Sequence, residues 1–350
     1  MTKEIKSRYK VIGIMAGSSM DGLDLAEVSF FKGSSWTFKV ENCKTYSYDE
    51  KISGLLSGAS DDSIELQYLT DRLFGEWIGE CVQDFTSEKQ DLIAVHGHTL
   101  IHQPENGISW QLGRGDIIAD FTGMKVVSDF RSQDVESGGQ GAPLVPVGDF
   151  ELFKAYDACL NLGGIANVSI KGRKLAWDIC PCNQVLNYYS IQLNKPFDEN
   201  GRIASSGTVN SDWLNALRSD SFFTKAPPKS LPNEFIHTSV LNQVEPTEGL
   251  RTYCEFIAER IISDASEHLP PGSKILSTGG GALNTFLMEL LNQNHKSLDF
   301  VVPERQLIDF KEAIVFAFLG LLKLRNEINV LASVTGAKRD SSSGVIHYPK

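Results

Sequence analysis

An apolar strand, a turn of small residues and a returning strand occur twice in this chain, about 150 residues apart. That recurrence limits the folds open to it. The first copy is VIGIMAGSSMDGLDLAEVSF, residues 11–30. Residues 11–15 read as a buried strand and residues 17–22 as a glycine-flanked turn; over residues 24–30, Ala26, Val28 and Phe30 alternate with Leu25, Glu27 and Ser29, which reads as the returning strand. The second copy, ACLNLGGIANVSIKG from Ala158, has an apolar strand, the turn Gly163 and Gly164, and a strand carrying Val168 and Ile170. One hairpin fits many folds. Two of them in 350 residues, more than one core usually fills, predict duplicated halves with a ligand between them.

The first turn also predicts chemistry. Its tip aims backbone N–H groups and the hydroxyls of Ser18 and Ser19 at one point, which suits an anion and most obviously a phosphate. Neither better-known phosphate loop is present: Gly22 is followed by Leu23 instead of the lysine of a P-loop, and strand alternation instead of a helix comes next. Asp21 and Asp24 would repel bare phosphate unless a divalent cation lay between, so a Mg-nucleotide fits better. Taken by itself, the segment also reads as an acidic surface hairpin.

A net charge of -11 argues against a nucleic-acid partner, because phosphate contacts need a basic face. MTKEIKSRYK lacks an apolar signal core, and no run approaches the roughly 18 apolar residues of a membrane span. A cytoplasmic protein with no membrane partner is expected. The six cysteines lack the spacing of a zinc site and are too few for a disulfide scaffold.

In chain order, residues 61–90 read as a helix with Asp61, Asp62 and Ser63 as capping candidates. Residues 92–95 read as a buried strand ending in His96, Gly97 and His98; strand ends in open α/β sheets face the ligand, which puts His96 against a substrate. No nearby carboxylate or cysteine completes a metal set with His98 and His102. Residues 124–128 read as a strand delivering Asp129 and Arg131. Arg131 either clamps a carboxylate or phosphate with its planar fork, or pairs with Asp129 or Asp134. Gly138, Gly139, Gly141 and Pro143 mark a loop suited to a hinge or lid.

Residues 175–177 read as a strand with Asp178 at its end, and Cys180 then Pro181 read as N-cap and N1 of a helix. Asp178 is then either a base for a hydroxyl or water attacking a phosphoryl group, or the cap of that helix. Residues 197–208 read as a polar loop and residues 248–265 as a helix. A strand over 274–277 runs into Gly279, Gly280 and Gly281, which let backbone approach a nucleoside closely, and a helix follows over 284–291. Residues 309–328 read as a long apolar helix with Glu312 in its first turn, where it complements the helix dipole. The polar, turn-rich tail reads as a connector and a closing strand.

Blocks running nearly end to end resemble the anhydro-N-acetylmuramic acid kinases, within the superfamily of sugar kinases, heat-shock ATPases and actin. They are IGIMAGSSMDGLD, HGHTLIH, DFRSQDVESGGQGAPLVP, NLGGIANVS, WDICPCN, FDENGRIASSG, PPKS, STGGGALN, EAIVFAFLG and SVTGAKRD. The resemblance implies an α/β, two-domain actin-like (ribonuclease-H-like) ATPase fold with duplicated mixed sheets and an interdomain cleft. One lobe would comprise residues 1–145 plus 309–350 with the first phosphate loop. The other, residues 146–308, would carry the second loop, the catalytic aspartate and the adenosine segment. ATP and Mg are the implied cofactors. The first loop corresponds to Gly17, Ser18, Ser19, Met20, Asp21, Gly22, Leu23 and Asp24, with Mg beside Asp21; the second to Gly163 and Gly164; the adenosine segment to Gly279, Gly280 and Gly281. Asp178 matches the family's catalytic aspartate, and His96, Asp129, Arg131 and Glu312 are implied on the sugar side.

The implied reaction opens the 1,6-anhydro bridge of anhydro-N-acetylmuramic acid with water and transfers the γ-phosphoryl of ATP to O6, in cell-wall recycling. A homodimer is implied as well. The chain departs from the family pattern in having Ala16, Gly17, Ser18, Ser19 for serine-glycine-threonine-serine, DICPCN for DTGPGN, and His98 for a common glutamine. The competing readings are a nucleotide-binding regulator of the same superfamily and a kinase of another sugar.

Overall fold

The computed structural model describes residues 6–17, 22–223, 225–227, 229–231, 241, 244–293 and 298–350. The chain divides into two compact units, Met1–Leu152 with Phe310–Lys350, and Phe153–Asp309. The helix Pro146–Leu152 thus goes with the first unit, where the sequence reading begins the second at residue 146.

In the first unit, β1 (Arg8–Ala16), β2 (Leu23–Lys32) and β3 (Trp36–Tyr46) form an antiparallel meander; the hairpin closes with Ala16 opposite Leu23. β4 (Leu92–Val95) lies parallel to β1 on its other side. All four of its residues are buried, as a strand covered on both faces requires. β5 (His98–Gln103) and β6 (Ile108–Leu112) make a separate two-stranded sheet, and β7 (Val126–Ser128) lies parallel to β4.

The second unit repeats the plan. β8 (Ala158–Leu162), β9 (Ile165–Ile170) and β10 (Leu175–Pro181) form an antiparallel meander, and β11 (Ser273–Thr278) and β12 (Leu298–Val301) lie parallel to β8. The tail supplies β13 (Val345–His347), antiparallel to β7. The sheets run β3-β2-β1-β4-β7-β13 and β10-β9-β8-β11-β12. Three antiparallel strands followed by two parallel ones, in the same spatial order, make these the duplicated mixed sheets of the ribonuclease-H-like plan.

Helices cover the sheet of the first unit on both faces. On one face α1 (Ile64–Phe85), capped by Ser63, packs Phe74, Ile78 and Val82 against Ile12, Ile14, Leu25 and Val95. The opposite face takes the helix Arg305–Leu324, whose Phe318 meets Phe30 and Trp36 with ring centroids 5.5 Å apart. That helix comes very close: a Cβ on Gly13 would lie 1.9 Å from Ala313 O, and one on Gly320 2.4 Å from Ala94 Cβ. In the second unit α2 (Asn183–Gln192) and α3 (Pro246–His268) share a core with Trp177, Val185, Tyr189, Tyr253 and Phe256. The Arg305–Leu324 helix is α4 below.

Several expected boundaries move. α1 stops at Phe85 and α3 extends to both sides of 248–265. Residues 197–208 hold a short helix, Arg202–Ser206, in which Gly201 is the N-cap and the free amides of Ile203 and Ala204 donate to the Asp198 carboxylate. No described helix is long and apolar enough to cross a membrane.

Candidate active site

Asp178 lies inside β10, not at its end. The strand continues through a bulge between Asp178 and Cys180 to Pro181, so Cys180 and Pro181 are strand residues and the N-cap of α2 is Cys182. Asp178 therefore does not cap that helix. Its Oδ2 accepts from the Ser230 hydroxyl at 3.1 Å and from the Leu231 amide at 2.9 Å, and its own N–H donates to Lys229 O at 2.9 Å. β10 is an edge strand, and the segment 229–231 satisfies the edge group that a sheet partner would otherwise take. Burial raises the Asp178 pKa, and the bonds from Leu231 and Ser230 partly offset the rise. A half-buried carboxylate with a raised pKa is a competent proton acceptor near neutral pH.

In the first unit, strand β4 delivers His96 to Arg131. His96 is buried at 5% exposure. Its Nε2 accepts from Arg131 Nε at 3.1 Å and Nη2 at 2.7 Å, while Nδ1 bonds Gly97 O at 2.7 Å. Because guanidinium only donates, Nε2 must be the bare nitrogen and Nδ1–H the donor. Burial first and then the Arg131 charge hold the His96 pKa well below its ordinary value, which agrees with this neutral tautomer. His96 is thus bound to Arg131, the other residue expected beside it on the sugar side.

Arg131 also donates through Nη1 to Gly141 O at 2.6 Å. It forms no ion pair with Asp129 or Asp134. Asp129 instead accepts from the hydroxyl of Ser132 at 2.6 Å and from its amide, and Asp134 accepts from the Gly141 amide and the Thr335 hydroxyl, both at 2.8 Å. Burial brings the Arg131 guanidinium down to about 10, with Glu312 pulling the other way. Glu312 stands more than a turn into α4, because the helix begins at Arg305, so the dipole reading fails. Exposed as a residue yet crowded at its carboxyl, Glu312 has a raised pKa. Desolvation is the first cause, Lys311 and Arg131 oppose it, and Asp24 and Asp149 reinforce it.

The glycine turns differ in what they explain. Ser18, Ser19, Met20 and Asp21 lie outside the described residues; Gly17 follows the last residue of β1, and Leu23 is fully buried in β2. Gly22, at φ 149°, would place a Cβ 2.6 Å from Tyr46 O. Asp24 sits in β2 opposite Met15, accepting from the Thr45 hydroxyl at 2.5 Å. Gly163 and Gly164 join β8 to β9, and their carbonyls receive the amides of Asn183, Cys182 and Gln184 at the start of α2. Gly279, at φ 81°, and Gly281 are required by packing on Asn161 and Leu162; only Gly280 keeps open space, with Asn183 Nδ2 3.7 Å away. No group of three or more metal-ligating side chains occurs among the described residues.

The chain matches the family described as anhydro-N-acetylmuramic acid kinase over residues 9–349. It belongs to that family. Relatives carrying the same description include proteins of Vibrio cholerae, 33% identical with 98% of this chain and 99% of the relative covered, and of Zymomonas mobilis, 31% identical with 96% and 99% covered. Among solved structures, component A of the (R)-2-hydroxyglutaryl-CoA dehydratase of Acidaminococcus fermentans is similar over 91% of this chain and 99% of its own, at 12% identity and a TM-score of 0.47.

As a member of the anhydro-N-acetylmuramic acid kinase family the protein is a kinase. Sequence reasoning missed several residues that organise its candidate site. Lys229, Ser230 and Leu231 hold Asp178; the PPKS block was the available signal, but its distance from WDICPCN gave no hint of contact. Asn161 and Asn183 at the glycine turns had no separate signal, and Asp134, read only as an ion-pair partner for Arg131, holds the Gly141 amide instead.

Proposed function

We propose that this protein opens the 1,6-anhydro bridge of anhydro-N-acetylmuramic acid with water and transfers the γ-phosphoryl of ATP to O6, giving N-acetylmuramic acid 6-phosphate for peptidoglycan recycling. The observation that carries the reading is Asp178. It is half-buried, raised in pKa and, among the described residues, tied through one oxygen, in a chain of this family. Asp178 takes a proton from the water whose oxygen bonds to the anomeric carbon. The bridging oxygen leaves that carbon with the bonding electrons and, as O6, bonds to phosphorus while ADP departs. Arg131 binds the sugar side through guanidinium edges that His96 and Gly141 orient, and Glu312 accepts sugar hydroxyls.

The glycine turns Gly17 to Asp24 and Gly163 to Gly164 bind phosphate, and Gly279 to Gly281 bind the adenosine. Asp24, a hard carboxylate close enough to raise the pKa of Glu312, fits a magnesium ion accompanying ATP. Bound there, magnesium would screen phosphate charge. We read the enzyme as a cytoplasmic homodimer, which light scattering of the purified protein checks.

The test is a mass-spectrometric product assay with Mg-ATP and 1,6-anhydro-N-acetylmuramic acid in oxygen-18 water. The expected product is a 6-phosphorylated sugar with one oxygen-18 at the anomeric position. ADP formed without sugar product would indicate a nucleotide-cycling regulator, and phosphorylation only of sugars lacking the anhydro bridge a different kinase.

A further inference from the structure

A buried lysine next to the candidate base has no part in the chemistry above. Lys229 Nζ lies 3.4 Å from Asp264 Oδ2, with the two side chains only 5% and 8% exposed, and 5.3 Å above the ring of Phe222. Lysine is rarely buried, because a desolvated ammonium needs compensating partners. The same Asp264 accepts from Trp177 Nε1 at 3.1 Å and from Arg260 Nη2 at 2.6 Å, and that guanidinium nitrogen also donates to Phe223 O at 3.0 Å. Trp177 is the residue before Asp178. One carboxylate on α3 therefore grips both the strand that carries the base and the segment that crosses it.

That segment is short and has no regular secondary structure of its own. Residues 229–231 touch Asp178 three times: Lys229 O takes its amide, and the Ser230 hydroxyl and Leu231 amide reach Oδ2. The side chain of Ser230 is exposed and brings no packing to fix the segment. Two side chains fix the segment among the described contacts: Leu231, 7% exposed in the core that also holds Trp177, and the buried ammonium of Lys229 on Asp264. Oδ1 of Asp178 has no partner among the described residues.

We propose that Lys229 is the positioning residue of the Asp178 carboxylate: its ammonium, locked to Asp264, holds residues 229–231 against the open edge of β10, tying Oδ2 down and leaving Oδ1 for the reacting water. The proposal rests on the reading of Asp178 as the base. Among the described residues the charged and titratable groups packed around this strand are Lys229 itself, Asp264, Arg260, Tyr253, Cys254 and His268 from α3, the His268 ring 4.9 Å from that of Trp177, and the thiols of Cys180 and Cys182; on β9 the opposite residue is the uncharged Asn167. Without the segment, Oδ2 loses two donors that favour its ionised form, and Asp178 keeps its proton to higher pH.

Full-length Lys229→Met, Lys229→Arg and Ser230→Ala proteins test this by two readouts. One is the pH profile of kcat; the other is the carbon-13 titration of the Asp178 carboxyl in aspartate-labelled protein, assigned by its loss in Asp178→Asn. Lys229→Met should lower kcat about 10- to 100-fold, as expected for misplacing a catalytic group, with little change in KM. Both the acid limb and the carboxyl titration should move to higher pH, and Lys229→Arg should restore much of each. Ser230→Ala should move the titration the same way by a smaller step at unchanged Tm. An Asp178 titration that stays in place in Lys229→Met overturns the proposal, and if Lys229→Met does not fold, Lys229→Gln, which removes the charge and keeps a polar end, is read in the same way. Absence of turnover on the anhydro sugar by the unsubstituted protein would defeat the functional reading, while the carboxyl titration would still decide the role of Lys229.

Discussion

Replacing Gly13 by alanine should cost both stability and turnover, because α4 is packed against β1 with no room for a methyl group. The added Cβ would fall 1.9 Å from Ala313 O, 2.8 Å from Ala313 C and 2.8 Å from Ala317 Cβ. Contacts below 3.0 Å are essentially never seen for real Cβ atoms, so helix and strand must separate by about 1.1 Å. The obstacle is helix backbone, which cannot rotate away. Overpacking of this kind destabilises by about 1–3 kcal/mol, and an obstacle made of backbone belongs at the upper end. At roughly 2–4 °C per kcal/mol for domains of this size, Tm should fall by about 6–12 °C.

Glu312 is the residue before Ala313, so it travels with the helix. A displacement of about 1 Å at a substrate-positioning residue lowers the rate on the order of a hundredfold. Calorimetry and steady-state kinetics on Gly13→Ala would check both effects. Gly54→Ala is the control: it lies in the helix Glu50–Ser57 with nothing within 4 Å of an added Cβ, and should stabilise by about 0.5–1 kcal/mol. A Gly13→Ala protein with unchanged Tm and unchanged kcat would refute the packing argument and the assignment of Glu312 to the sugar side together.

Asp178→Asn should retain ATP binding by calorimetry and lose turnover by several orders of magnitude; near-normal turnover would show that the carboxylate is structural. Acid should weaken the protein through the buried histidines. His96 and His98 have lowered pKa values in the folded state, so below the ordinary value of 6.5 the unfolded chain binds more protons and stability falls as pH falls. Each contributes up to about 1.4 kcal/mol per pH unit until its folded pKa is reached. Urea unfolding between pH 7 and 5 should show a shallower slope in His96→Gln than in the parent, and identical slopes would count against the neutral His96. Asp134→Ala strands the Gly141 amide and the Thr335 hydroxyl and should cost about 2–4 kcal/mol in urea unfolding; a loss under 0.5 kcal/mol would mean that the loop does not depend on it.

The strands were legible because their burial is written locally. VIGIM, LIAV and ACLNL are apolar runs, and each is a buried strand. The recurrence of the hairpin carried the duplicated sheets with it. What misled was local mimicry. Cys180-Pro181 looks like a helix start, but a bulge after Asp178 lets β10 continue through both residues. α4 begins at Arg305, a full turn before the Asp309 from which its periodicity was read, and Glu312 was thereby placed too early in the helix.

The roles of single residues depended on contacts that no periodicity encodes. The contact of Asp178 with Ser230 spans 52 positions and that of Asp134 with Thr335 spans 201. His96 shows the limit most plainly. Its place at a strand end was readable, but whether it faced a ligand or a guanidinium depended on a loop 35 residues further on.

The order of the two units along the chain bears on how the enzyme is made. The unit holding Asp178 is one unbroken stretch, Phe153–Asp309, whereas the unit holding Arg131 needs Phe310–Lys350 to supply Glu312, most of α4 and the strand that pairs with β7. During synthesis the unit holding Asp178 can therefore mature while the unit holding Arg131 still waits for most of α4 inside the ribosome. A ribosome that stopped before α4 would release a chain with Asp178 in its strand, Arg131 without Glu312, and the face of β1 and β4 that α4 covers left open.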